Sequence, residues 1–62
     1  MLITTETATK VKVKRAISDL GKVETAKKLH TTTRTLAKIE KGNYDASKRI
    51  YESVMNWLIE DL

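Results

Sequence analysis

The chain has 62 residues and a formal charge of +4, with two glycines, no proline and no cysteine. That length makes one small domain, 1–62, with a modest core and no room for an elaborate enzyme, and without cysteine there are neither disulfides nor thiolate metal centres. No run approaches the roughly 20 apolar residues that cross a bilayer and Met1-Leu2-Ile3 is too short for a signal-peptide core, so a soluble cytoplasmic protein without a membrane partner is expected.

The charge is unevenly placed. Residues 1–44 hold ten Lys and Arg against four acids, whereas 45–62 hold two bases against four acids. A polyanion is attracted to the first part and not to the second.

The first element is a helix ending at about Leu20, because Val13, Ala16, Ile17 and Leu20 recur at the spacing of one helical face ahead of Gly21. Its start is open. Thr9 to Lys14, TKVKVK, alternates apolar and basic residues and suits a strand as well as a helix, and Val11 lies opposite the apolar stripe if it is helical. Alternating Lys10, Lys12 and Lys14 read as solubilising or edge-protecting residues. After Gly21 a short second helix places Val23, Ala26 and Leu29 inward and Lys22, Lys27 and Lys28 outward.

A turn at His30-Thr31 leads to a third helix, N-capped by Thr31 or Thr32 and stopped by Gly42 as a left-handed residue. A step of about 100° per residue puts Thr32, Leu36 and Ile39 on one side and Thr33, Arg34, Ala37, Lys38 and Lys41 on the other. The fourth and longest helix starts at Asp45 or Ser47 and runs to the C-terminus. Ile50, Val54, Trp57 and Leu58 form its stripe, and Tyr51, Met55, Ile59 and Leu62 widen the apolar arc to roughly 200°, about twice what a small core needs.

Two short helices across a tight turn, the second exposing Thr, Arg and Lys, have the mechanics of a helix-turn-helix. Such a helix fits a B-form major groove, where Arg grips guanine bidentately, Lys reaches guanine or phosphate, and Thr meets the thymine methyl. Gly21 to Asn43, GKVETAKKLHTTTRTLAKIEKGN, resembles the helix-turn-helix of phage Cro and repressor proteins, the opening Gly-x-x-x-Thr-Ala-Lys-x-Leu being especially close to Cro. In that pattern Ala26 is the small residue where the helices cross, Leu29 faces the core, and Leu36 and Ile39 anchor the recognition helix. His30 stands where the family usually has Gly at positive φ, at a cost on the order of 1 kcal/mol, and Thr31 stands where an apolar residue is usual.

The resemblance implies an all-α fold of the lambda-repressor type, four to five helices, without the strands of the best-known Cro. It places Thr33, Arg34, Ala37 and Lys38 at base edges with Lys41 at the groove margin. Phosphates are assigned to Lys22, Thr25, Thr32 and the N-terminus of the second helix, with Asn43 and Tyr44 as further candidates. The implied function is a sequence-specific double-stranded DNA-binding regulator that represses by occupying an operator. A homodimer is expected through Tyr51, Met55, Ile59 and Leu62 on the C-terminal helix, about 45–62.

Two rival functions keep the same scaffold: a protein-interaction module such as an anti-repressor or antitoxin, and an excisionase-like binder that bends DNA. Catalysis, a metal and a small-molecule substrate or cofactor are not expected. His30 is the only histidine, and the adjacent acids Glu60 and Asp61 point apart on a helix.

Overall fold

The computed structural model describes residues 1–60. In chain order the elements are β1 (Leu2–Ile3), α1 (Thr5–Ile17), α2 (Lys22–Lys28), α3 (Thr33–Lys41), β2 (Tyr44–Asp45) and α4 (Lys48–Ile59). The chain is mostly helical, as expected, but a two-stranded antiparallel ladder corrects the all-α reading: Leu2 pairs with Asp45 and Ile3 with Tyr44. The Ala46 N–H extends the pairing by donating to the Met1 carbonyl at 2.8 Å. Ile3 turns its β-branched side chain fully into the core. Leu62, assigned above to a subunit contact, lies outside the described residues.

The helix begins early. Thr4 caps α1, its hydroxyl accepting from the Thr7 N–H at 3.2 Å, so Thr9 to Lys14 is helical throughout. The buried face is Ala8, Val11 and Lys14, a three-residue spacing, and not the face carrying Val13, Ala16 and Ile17. Val11, expected to point away, is fully buried, whereas Val13 is 51% and Ile17 66% exposed. What turns the helix over is Lys14, whose aliphatic stem fills the space an apolar residue would take while its ammonium finds acceptors. The solubilising reading therefore fails for Lys14.

The end of α1 also corrects a glycine reading. The helix stops at Ile17, and Asp19 takes the left-handed conformation at φ 55°. The Asp19 N–H donates to Ala16 O at 3.2 Å and the Leu20 N–H to Arg15 O at 3.1 Å, the paired bonds of a Schellman ending. Gly21, at φ −74°, is instead the N-cap of α2.

A second Schellman ending closes α2, with the His30 N–H on Lys27 O at 3.1 Å and the Thr31 N–H on Ala26 O at 2.9 Å. His30 sits at φ 56°, as its turn position requires, and Arg49 donates to its carbonyl at 3.1 Å. Replacing His30 by Gly is expected to raise stability by about 1 kcal/mol, since the backbone bonds stay and the left-handed cost goes. A thermal melt that fell instead would mean that the imidazole makes a contact worth more than that cost.

Ala26 and Leu29 are buried beside Leu36 and Ile39 of α3, but Val23 is exposed, contrary to its inward assignment. Thr32 is exposed as well, because it caps α3: its hydroxyl accepts from the Thr35 N–H at 3.2 Å. A cap residue lies outside the helical repeat, so the periodicity that buries Leu36 and Ile39 does not extend to it.

Ser47 caps α4. With 12 residues α4 is one shorter than α1, so it is not the longest helix. Val54 and Trp57 enter the core, and Ile50, Tyr51 and Leu58 pack against it. At the other end of α3, Gly42 has φ 87°, and a Cβ there would stand 2.8 Å from Thr5 Cα. No described helix is long and apolar enough to cross a membrane.

Candidate nucleic-acid interface

The outer face of α3 follows from its inner one. Leu36 and Ile39 bind it to the core, so the opposite side chains, Thr33, Arg34, Ala37, Lys38 and Lys41, are all exposed on a helix of nine residues. The one acid of α3, Glu40, does not share that face. Arg15 of α1 reaches it with Nε at 2.7 Å from Oε2 and Nη2 at 3.3 Å from Oε1, a two-pronged pair that is largely shielded from water. The sequence reading missed this pair, since residues 25 apart leave no local signal. Its electrostatic result is a surface on α3 carrying Arg34, Lys38 and Lys41 with no acid among them.

Beside Lys38 and Lys41 the chain turns through Gly42 and Asn43, the latter at φ 53°. These residues and Tyr44 line a shallow cleft of about 410 Å³. The turn brings the exposed Asn43 next to the two lysines, and Tyr44 stands half-buried with its strand on the core. Lys22 is exposed at the start of α2, and Thr32 at the start of α3.

Thr25 does not fit the phosphate role given to it. It is fully buried, and its hydroxyl donates to the Gly21 carbonyl at 2.9 Å. On a helix of seven residues that starts from Gly21, the hydroxyl does better closing the first turn than facing solvent.

No protein-family model, curated protein or solved structure matches the chain. The reading of this surface therefore rests on its own chemistry.

On α4 the four-residue side stripe divides. Tyr51 is half-buried against the core and Met55 is half-buried, whereas Ile59 is 80% exposed. Tyr51 thus serves the fold, which narrows the apolar arc that the sequence leaves uncovered.

Proposed function

We propose that the chain is a sequence-specific double-stranded DNA-binding regulator, with α2 and α3 acting as a helix-turn-helix and α3 entering the major groove. The observation that carries this is the outer face of α3, where Thr33, Arg34, Ala37, Lys38 and Lys41 are exposed together while Glu40 is turned away into its pair with Arg15. Arg34 and Lys38 lie one turn apart and reach base edges, and Ala37 lets the helix backbone approach them. Lys41 meets the groove margin. Lys22, Thr32, Asn43 and Tyr44 lie where phosphates would flank such a helix, and Thr25 drops out of that set. Repression by occupancy of an operator is the mechanism such a surface supplies by itself.

Arg34→Ala is expected to weaken binding to the preferred duplex by about 1–3 kcal/mol and to change binding to random duplex far less. Lys22→Ala should lower affinity for both alike and flatten the salt dependence by about one unit of slope. Duplexes selected from a random pool, then titrated at several salt concentrations, measure both. Equal losses on selected and random DNA would make Arg34 a phosphate contact only, and no salt-sensitive binding to any duplex would sink the reading in favour of a protein-interaction module.

A further inference from the structure

The nine residues of α3, TRTLAKIEK, include neither asparagine nor glutamine and only one acid. That acid is Glu40, whose carboxylate Arg15 holds at 2.7 Å and so keeps off the outer face. The composition of that face restricts which base edges it can read. In the major groove a side-chain amide pairs bidentately with adenine N6 and N7, and a carboxylate accepts from the cytosine N4 amino group. The outer face of α3 offers neither. It offers two cations of the kind that grip guanine O6 and N7, Arg34 and Lys38, and two exposed methyl groups, on Thr33 and Ala37, of the kind that pack on thymine.

These side chains fall into two rows. At about 100° per residue, Thr33, Ala37 and Lys41 recur every four positions along one line, and Arg34 and Lys38 run beside it. The small residues of the first row let the helix come close to the groove floor, which brings the cations of the second to the base edges. No ion pair among the described residues engages Arg34 or Lys38. On a helix in the major groove, side chains three or four positions apart meet successive bases. Arg34 and Lys38 therefore fall on neighbouring base pairs.

We propose that α3 selects a duplex site specified by guanines and thymine methyls: Arg34 and Lys38 each grip a guanine, on neighbouring base pairs, and Thr33 and Ala37 pack on the C5-methyl of a thymine adjoining them. The proposal rests on the DNA-binding reading above and names what that surface selects. Adenine and cytosine enter such a site only as the partners of the bases being read.

Selection from a random duplex pool with the full chain should enrich sites holding guanines on neighbouring pairs beside a thymine. Analogue bases then separate the contacts without altering the protein. Replacing either guanine by 7-deazaguanine removes N7 alone and should lower affinity about tenfold, and uracil in place of the thymine removes the methyl alone and should lower it about fourfold. Opposite that thymine, 7-deazaadenine should change nothing. Exchanging the side chains tests the register. With an amide in place of the cation, Arg34→Gln should select adenine where one guanine stood, and Lys38→Gln should do so at the neighbouring pair. Both positions are exposed, so the circular dichroism spectra should match that of the unaltered chain. An enriched site that is indifferent to loss of guanine N7 and of the thymine methyl, or sensitive to loss of adenine N7, overturns the proposal and leaves DNA binding intact. So do glutamine variants that select the same site as the unaltered chain. A pool with no enrichment overturns the DNA-binding reading and this proposal with it.

Discussion

Lys14→Met is expected to lower the unfolding free energy by about 2–3 kcal/mol, the range for losing charge-assisted hydrogen bonds to buried carbonyls. Lys14 is 8% exposed, and its ammonium donates to the carbonyls of Trp57 and Glu60 at the end of α4. It also lies 4.9 Å from the centroid of the Trp57 ring. Those carbonyls are among the last of a helix, where the supply of intrahelical donors runs out. Trp57 O also accepts from the Glu60 N–H at 3.3 Å. A cation there also meets the negative end of the helix dipole.

Methionine keeps the stem's volume, so the difference isolates the ammonium from the packing. For a domain of this size the loss should lower the melting temperature by roughly 10–20 °C. A urea titration giving a change below about 0.5 kcal/mol would mean that water satisfies the α4 carbonyls just as well.

Gly42→Ala should cost about 2–4 kcal/mol, because two penalties fall on one atom. The backbone φ of 87° is one that residues with a Cβ rarely adopt, and the new Cβ would meet Thr5 Cα at 2.8 Å and Thr5 Cγ2 at 2.9 Å. The first costs about 1–2 kcal/mol and the forced displacement of α1's first residue about as much again. Gly21→Ala is the internal control. Gly21 has an ordinary φ of −74°, nothing lies within 4 Å of its added Cβ, and the change should stay within about 1 kcal/mol. Chemical denaturation of both variants measures the contrast, and equal losses would mean that Thr5 moves aside at little cost.

The two glycines show where sequence reasoning reaches and where it stops. Both sit beside helix ends, but only Gly42 needs the freedom of glycine, while Asp19 and His30 take the left-handed positions that end α1 and α2. Composition cannot say which residue of a turn bends. The Leu36 and Ile39 spacing and the five outward residues of α3 were legible, because a short helix on a core obeys its own period, whereas the cap was narrowed only to Thr31 or Thr32.

The face of α1 was not legible. Val13 and Ile17 make a better apolar stripe than Ala8, Val11 and Lys14, and the choice between the two faces is decided by acceptors 43 residues away in Trp57. The same distance hid the ladder, since two residues of Leu2–Ile3 carry no periodic signal until Tyr44–Asp45 lies beside them. For the candidate interface, the exposure of Thr25 was misjudged because its hydroxyl bonds within its own turn.

The order in which the chain assembles follows from how far apart its fastenings lie. Only the four residues Leu29 to Thr32 separate α2 from α3, so that pair meets at small loop-closure cost. The ladder ties Leu2 to Asp45 and the ammonium of Lys14 spans 43 residues to Trp57; both close only after most of the chain between them is in place. Contacts made after the rate-limiting step leave the folding rate nearly untouched and act on unfolding. These two fastenings are therefore expected to govern the lifetime of the folded chain and not its speed of formation. In stopped-flow measurements Lys14→Met should move the unfolding limb and spare the refolding one, whereas a slowed refolding limb would place the ammonium in the nucleus.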